Sequence, residues 1–232
     1  MAHTALVSGA GKGIGRAITL RLAQDGYDLF LLGRDGTALA TVAAECAARA
    51  AQADFLAGDL REASYITAAH DAARARFGGI DVLINNAGSA ARGVTQSADL
   101  DVWRAVLDLN LWAVMALTRS VLPGMIERRR GAVINISSIS GRHSNGGDAI
   151  YAASKHALNG YTASLFEDVR EFGIKVSSIM PGFVETTLTT SLNKRAERMI
   201  SPDDIAATVA FVLASSARCC PTEIVVRPQL AP

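Results

Sequence analysis

The chain has 232 residues, a formal net charge of +1, and a composition that is 50% hydrophobic and 19% charged. This length suits one domain built on a single sheet, and the composition is that of a compact globular protein. The small net charge provides no basic field, which argues against nucleic acid or an anionic membrane as a partner. We expect no signal peptide, and no apolar run reaches the roughly 20 residues that a membrane span needs.

Three cysteines, Cys46, Cys219 and Cys220, have neither the number nor the spacing of a disulfide framework or a metal site. We therefore expect a reduced, cytoplasmic protein without a bound metal.

Short apolar runs alternate with helical patterns along the whole chain. The predicted strands are Ala5–Val7, Leu29–Leu32, Ala53–Leu56, Val82–Ile84, Val133–Ile136, Val176–Met180 and Ile224–Val226. The predicted helices are Gly13–Asp25, Thr37–Ala51, Glu62–Phe77, Asp99–Arg129, Ala149–Phe172 and Pro202–Ser215. Strands that are apolar on both faces and alternate with helices indicate a parallel sheet with helices on both sides. The polar stretch Glu185–Ile200 is expected to form a mobile loop or a short helix over the cleft.

The first predicted strand ends in a glycine-rich turn. Gly9, Gly13 and Gly15 give the spacing G-x-x-x-G-x-G between this strand and the first helix. Glycines at such a turn let the backbone approach a pyrophosphate, whose charge the helix N-terminus favours. Glycine also serves ordinary tight turns, so it is the position between strand and helix that indicates dinucleotide binding.

A second motif surrounds the fifth predicted strand. Val133–Ile136 would deliver Ser137 and Ser138 to the carboxyl end of the sheet. Tyr151 and Lys155 lie four residues apart on the following helix, so they share one face. A nearby ammonium favours the phenolate and is expected to lower the tyrosine pKa from about 10 toward neutrality, which suits a general acid/base. A lone pair of this kind also arises by chance.

These motifs, with several others in the same order, resemble those of the short-chain dehydrogenase/reductase family over nearly the whole chain. The matching segments are the glycine turn (with Ser8 where the family usually has threonine), Asp59-Leu60, Asn85-Asn86-Ala87-Gly88, Asn110, Ser138, Tyr151-xxx-Lys155, and Pro181-Gly182 followed by Thr186. The resemblance implies an α/β, Rossmann-type doubly wound sheet of seven parallel strands in one domain, residues 1–232. Residues 1–130 would be mainly the dinucleotide-binding half, and residues 131–232 the catalytic and substrate-binding half.

The resemblance also implies an oxidoreductase that interconverts a secondary alcohol and a ketone with a nicotinamide cofactor. Its catalytic residues would be Asn110, Ser138, Tyr151 and Lys155. Ser138, preferred over Ser137 by its spacing to the tyrosine, would hold the substrate oxygen with Tyr151. Lys155 would hold the nicotinamide ribose, and Asn110 would hold a water that connects the lysine to solvent. The cofactor-binding residues would be Gly9, Gly11, Lys12, Gly13, Ile14, Gly15, Arg34, Asp59, Leu60, Asn86, Ala87, Gly88, Tyr151, Lys155, Pro181, Gly182, Val184 and Thr186.

The substrate is set in this family by three loops, here residues 89–93, 139–147 and 183–191. They carry no charge cluster that demands an acidic or basic substrate. His143 and Phe183 are the candidate substrate contacts, and a plain surface histidine is the alternative for His143.

Four positions bear on the choice between NADP(H) and NAD(H). Asp35 lies 20 residues after Gly15, about where an acid that selects NAD is expected. The second predicted strand runs into Gly33, however, and Asp35 is better placed to cap the next helix. Arg34 and Lys12 match positions that go with NADP in the family, and a guanidinium can pair with a 2′-phosphate. We expect NADP(H) to be preferred, with NAD(H) as the alternative.

The resemblance further implies a homotetramer, with a dimer as second choice, formed by packing of helices 99–129 and 149–172 on their copies. The apolar residues expected at this interface are Leu107, Leu111, Trp112, Leu117, Leu158, Tyr161, Leu165 and Phe166.

Two other classes of function stay open from the residues alone. A non-catalytic dinucleotide-sensing module would be expected to lack the tyrosine or the lysine. An epimerase or dehydratase of the longer, extended relatives would need more chain after Pro181.

Overall fold

The computed structural model describes residues 3–189 and 195–232. Its strands are β1 Thr4–Ser8, β2 Asp28–Gly33, β3 Ala53–Ala57, β4 Val82–Asn85, β5 Gly131–Ile136, β6 Ile174–Pro181 and β7 Glu223–Val226. Its α-helices are α1 Gly13–Gln24, α2 Gly36–Ala47, α3 Ala63–Phe77, α4 Leu100–Leu107, α5 Ala113–Arg128, α6 Ala149–Val169 and α7 Pro202–Ala214. Each predicted strand lies within an observed one.

The seven strands form one parallel sheet in the order β3-β2-β1-β4-β5-β6-β7. The chain builds outward from β1 to β3 and then crosses back to place β4 on the other side of β1. Ligands of open α/β sheets bind at such a reversal, outside the carboxyl ends of the strands. The predicted doubly wound fold is confirmed, and it directs attention to the crevice between β1 and β4.

Helices cover both faces of the sheet. On one face, inward residues such as Val7 and Leu31 pack with α1, α2 and α7. On the other face, alternate residues such as Leu6 and Leu32 pack with α3, α5 and α6. Since successive side chains of a strand point to opposite faces, strands buried on both sides need apolar residues at nearly every position. This is the origin of the continuous apolar runs in the sequence.

The predicted helix Asp99–Arg129 is wrong in one respect. A π-helical turn, Asp108–Trp112, separates α4 from α5. Within Leu100–Arg128 an 18-residue window has a mean hydropathy of 1.4, so this stretch is, by length and composition only, apolar enough to cross a membrane. Its buried residues Leu117 and Met125 pack against the sheet, which is the environment of a core helix.

Smaller differences concern helix ends and loops. The predicted helix Thr37–Ala51 ends at Ala47, and Ala50 has a φ of 60° that an α-helix does not allow. The Asp35 carboxylate accepts the Ala38 N–H at 3.0 Å, which confirms that it caps α2. Within the predicted loop 185–200 there is a short 3₁₀ helix, Ala196–Arg198, and residues 190–194 lie outside the described part of the chain.

Candidate active site

The turn between β1 and α1 needs glycine at two positions. Gly9 has a φ of +66°, and a Cβ there would lie 2.9 Å from Asn86 Nδ2. A Cβ on Gly15 would lie 2.1 Å from the Gly9 carbonyl oxygen, so α1 sits directly against the turn. Lys12 at the N-cap gives no side-chain hydrogen bond to α1. The first-turn N–H groups of α1 therefore face the cleft without a capping side chain.

The Ser8 hydroxyl joins this turn to the end of β4. Its oxygen accepts the N–H groups of Asn86 and Ala87 at 3.0 and 3.1 Å, and it donates to the Ile84 carbonyl at 3.2 Å. The Asn86 amide donates to the carbonyls of Ser8 and Gly9. These bonds hold the two loops on either side of the crevice between β1 and β4.

A cleft of about 520 Å³ runs from this turn to the N-terminal part of α6. The predicted cofactor residues that line it are Gly9, Gly11, Lys12, Gly13, Ile14, Arg34, Asp59, Leu60, Asn86, Ala87, Gly88, Tyr151, Lys155 and Thr186. Gly15, Pro181, Gly182 and Val184 from the same set do not line it, and Gly15 acts instead in packing α1. The lining residues that sequence reasoning missed are Ala38, Leu39, Gly58, Arg61, Ala105, Leu109 and Ile136. Gly33, Asp35 and Ser137 also line the cleft and were considered without being assigned to the cofactor, and Ser89, Thr187 and Leu188 lie in the loops expected to set the substrate.

One end of the cleft carries exposed charges; we call Lys12, Arg34, Asp35, Asp59 and Arg61 the charged end. Both Asp59 oxygens accept hydrogen bonds from the Arg61 guanidinium, and Nε lies 3.0 Å from each. The bonds from Arg61 lower the pKa of Asp59 to about 2. Arg61 was missed because an arginine two residues after an aspartate carries no motif of its own.

The opposite end is enclosed: Tyr151 and Lys155 line it, while Ser138 and Asn110 adjoin them without lining the cleft. We call these four residues the buried end. Lys155 is 5% exposed, and its Nζ donates to the Ile136 carbonyl at 3.0 Å. Burial lowers the pKa of Lys155 to about 8, because a low-dielectric surrounding disfavours the ammonium form. The same Nζ lies 5.8 Å from the centroid of the Tyr151 ring, so the two side chains share one face of α6 as predicted.

The expectation that Lys155 lowers the pKa of Tyr151 is wrong for this structure. Burial raises the pKa of Tyr151, and the Ser138 hydroxyl only partly opposes this by a hydrogen bond to the ionised form. Of the nearby charges, Asp148 raises it further and Arg92 lowers it. The physical reason is that desolvation acts on both partners, and a lysine of lowered pKa is a weaker source of charge.

Ser138 and Asn110 reach the buried end from two different elements. Ser138 follows β5, is 8% exposed, and accepts the Ser140 N–H at 3.1 Å. Asn110 lies on the π-helical turn and is 1% exposed. Its amide donates to the Ser89 carbonyl at 2.8 Å and to the Ser154 hydroxyl at 3.1 Å, while its oxygen accepts the Ser89 N–H at 2.9 Å.

The Asn110 bonds have a consequence for α6. The Ser154 hydroxyl that accepts from Asn110 donates to the Tyr151 carbonyl at 2.7 Å. Asn110 thus ties the loop after β4 to the turn of α6 that carries Tyr151. The water expected at Asn110 stays a prediction; the side-chain amide itself is held by the Ser89 backbone and the Ser154 hydroxyl.

The two candidate substrate contacts lie outside the cleft lining. His143 is exposed in the loop before α6, and Phe183 is 37% exposed after β6. Both lie on loops that border the buried end, and neither is among the residues that line the cleft.

The fold and the cleft are those of a dinucleotide-binding α/β protein, and comparison with known proteins gives the family. A profile of the short chain dehydrogenase family matches residues 3–197. An uncharacterized oxidoreductase of Staphylococcus aureus (strain MRSA252) is 33% identical over 224 residues, which are 97% of this chain and 96% of the relative. A similar protein of Staphylococcus saprophyticus is 32% identical over 225 residues, with the same coverage. The chain belongs to the short-chain dehydrogenase family.

Comparison with solved structures supports the same family assignment. A metagenomic short-chain oxidoreductase in complex with NADP is 35% identical, with a TM-score of 0.87 over 98% of this chain and 97% of that one. A variant of actinorhodin polyketide ketoreductase with NADPH is 31% identical, with a TM-score of 0.91 over 98% and 96% of the two chains. An alcohol dehydrogenase of Thermococcus sibiricus, 22% identical with a TM-score of 0.93 over 100% and 99% of the two chains, shows the same fold. The chain is thus an oxidoreductase of this family.

Proposed function

We propose that this protein is an NADP(H)-dependent oxidoreductase that interconverts a secondary alcohol and a ketone, with Tyr151 as the general acid/base. The observation that carries the proposal is the cleft itself, which joins the glycine turn and the charged end to Tyr151 and Lys155. Membership of the family and the NADP-bound relatives support the same function.

The residues present fit a dinucleotide. The cleft has room for an extended ligand. Gly9 lines it, and a Cβ at this position would occupy the space through which a ligand can approach the backbone. The uncapped N-terminus of α1 supplies N–H groups to a pyrophosphate. Asp59 and Leu60 would contact the adenine, and Lys155 would hold the nicotinamide ribose. When bound, the nicotinamide supplies the hydride that the protein cannot.

The buried end would supply the proton. Because burial raises the pKa of Tyr151, its phenol is protonated at neutral pH, and a protonated phenol is the form that carbonyl reduction needs. Ser138 and Tyr151 would donate hydrogen bonds to the substrate oxygen, where negative charge develops. Tyr151 would then transfer its proton to that oxygen. Asn110 would hold α6 and the loop at Ser89 in register, so that substrate and phenol meet.

The preference for NADP(H) rests on the charged end. Asp35 is occupied in capping α2, and Gly33 presents no carboxylate to the ribose 2′-hydroxyl. Arg34 and Lys12 are exposed at the cleft and can pair with a 2′-phosphate. NAD(H) is the second candidate because Asp35 also lines the cleft.

The test is turnover. Purified protein is mixed with NADPH and a panel of aliphatic, aromatic and cyclic ketones, and loss of reduced nicotinamide is followed together with formation of the alcohol. We expect equal amounts of cofactor oxidised and alcohol formed for at least one class of ketone. A protein that binds NADPH tightly but oxidises it with no member of the panel would match the sensing module instead. Product isomerised without net cofactor change would match an epimerase.

The same proposal includes a cytoplasmic homotetramer, with a dimer as second choice. Of the predicted interface residues, Leu117, Leu158 and Leu165 are buried within the protomer and are not available, which corrects that list. Trp112 is 63% exposed and Leu107 37%, and this exposed apolar surface supports assembly through α4 and α5. The three cysteines are free, in keeping with a reducing compartment. Light scattering at micromolar concentration tests the assembly, and a monomer would refute it.

A further inference from the structure

Asp59 and Arg61 form a bidentate ion pair at the charged end of the cleft. Arg61 Nε lies 3.0 Å from both carboxylate oxygens, and Nη2 lies 2.5 Å from Oδ2. The backbone N–H of Arg61 also donates to Oδ1 at 3.0 Å. A bidentate guanidinium contact of this kind leaves the carboxylate little capacity to bind another cation.

Within the described part of the chain, the Arg34 guanidinium, unlike that of Arg61, is not bound to a carboxylate. It lines the same cleft, its side chain is exposed, and within residues 3–189 and 195–232 it belongs to none of the ion pairs. Its charge nevertheless acts on Asp59 and helps to lower the pKa of that carboxyl. Two guanidinium groups therefore stand near one carboxylate, and only Arg61 is bound to it.

We propose that Arg61 is a positioning residue for cofactor selection: by occupying the Asp59 carboxylate, it keeps the Arg34 guanidinium available for the 2′-phosphate of NADP(H). The inference rests on the proposed function, in which Arg34 recognises that phosphate. Without Arg61, an unpaired carboxylate would compete with the phosphate for Arg34 and would repel the phosphate itself. NADH has no 2′-phosphate, so its binding would change little. The role is specific to one of the two cofactors.

The experiment is a titration of the full-length protein with NADPH and with NADH, followed by nicotinamide fluorescence at one fixed salt concentration. Wild type is compared with Arg61→Ala, with Arg61→Ala/Asp59→Asn, and with Arg76→Ala. The last variant breaks a similar exposed pair between α3 and β3, Arg76 with Asp54 at 3.7 Å, outside the cleft. Circular dichroism and the melting temperature verify that each variant is folded. We expect the Arg61 variants to fold, because the Arg61 side chain is 42% exposed.

We expect Arg61→Ala to weaken NADPH binding by about tenfold, the usual size of one charge-assisted contact. The NADH affinity should change by less than about twofold, because no phosphate is present to lose its partner. In the double variant the neutral amide that replaces the Asp59 carboxylate attracts Arg34 much more weakly and does not repel the phosphate, so most of the NADPH-to-NADH preference should return. Arg76→Ala should leave both affinities at the wild-type value.

Three results would overturn the inference. If Arg61→Ala keeps the wild-type preference, Arg61 has no part in selection. If the double variant keeps the loss, Arg61 contacts the phosphate directly rather than through Asp59 and Arg34. Either result, with a wild type that prefers NADPH, leaves the proposed function intact. A wild type that binds NADH as tightly as NADPH overturns the inference and the proposed cofactor together.

Discussion

The two ends of the cleft differ in how far their side chains are exposed to solvent. At the buried end, Lys155 is 5% exposed and Asn110 1%, and burial shifts the pKa values of Tyr151 and Lys155. At the charged end, Arg34 and Arg61 are exposed, and the roles proposed for them are to attract or balance charge. Proton transfer needs groups with shifted pKa values, whereas selection between NADP(H) and NAD(H) needs only charged side chains in the right positions. The difference predicts that catalysis and cofactor choice can be altered separately.

The largest effect is expected from Tyr151→Phe at the buried end. Only a hydroxyl is removed, so fold and cofactor binding should stay near wild type. Turnover should fall by at least about two decades, the usual contribution of a positioned general acid. Steady-state kinetics on an accepted ketone provide the measurement, with Tyr27→Phe, a half-buried tyrosine away from the cleft, as control. Near-normal turnover of the Phe variant would remove Tyr151 from the mechanism.

A smaller effect is expected at the charged end from Gly33→Asp combined with Arg34→Ala. The new carboxylate can accept from a ribose hydroxyl, and a Cβ on Gly33 meets only Leu39 atoms at 3.4 Å or more, an ordinary contact. Losing the guanidinium should weaken NADPH binding by about ten- to a hundredfold. Parallel titrations with NADPH and NADH measure the shift. If wild type already binds NADH more tightly, Asp35 is the selecting residue and Arg34 is not.

A further effect concerns pH. The phenolate form of Tyr151, which oxidation of an alcohol needs, increases about tenfold per pH unit below its raised pKa. Alcohol oxidation should therefore keep rising through about pH 9, while ketone reduction at saturating cofactor should not fall near neutrality. Cofactor affinity should weaken above the Lys155 pKa of about 8, as the ammonium loses its proton. Rates in both directions across roughly pH 6 to 10 test this. An oxidation plateau near neutral pH would restore the original expectation that Lys155 lowers the phenol pKa.

The smallest effect expected is on stability, in a matched pair of glycine variants. Gly15→Ala places a Cβ 2.1 Å from the Gly9 carbonyl oxygen, so α1 must shift, at a cost of about 1–3 kcal/mol. Gly160→Ala in α6 meets nothing within 4 Å and should stabilise the helix by about 0.5–1 kcal/mol. Urea unfolding compares the two. Equal behaviour of both variants would contradict the close packing of α1 on the glycine turn.

Sequence reasoning reached the strands and the Tyr151–Lys155 pair because periodicity and spacing are local signals. It also placed Asp35 at a helix cap correctly, because the second strand runs into Gly33 and the next helical pattern begins near Thr37. It missed the π-helical turn that carries Asn110, because the segment Asp108–Trp112 contains no Gly or Pro that would mark a break in the helix. It gave the wrong direction for the Tyr151 pKa, because burial of a side chain is a property of the packed fold and not of an i, i+4 spacing.

Arg61 shows the same limit at the charged end. Its contact with Asp59 is local in sequence, but its relation to Arg34 on another loop exists only after β2 and β3 pair. Side-chain competition of this kind has no one-dimensional pattern.

The most direct test of the account measures NADPH affinity and single-turnover rate of the bound cofactor in the same three proteins: wild type, Tyr151→Phe, and Gly33→Asp/Arg34→Ala. The account predicts that Tyr151→Phe loses rate and keeps affinity. The double variant should lose affinity and keep the rate once it is saturated with NADPH. If both variants lose rate and affinity together, the two ends of the cleft are not separable and the central claim is wrong.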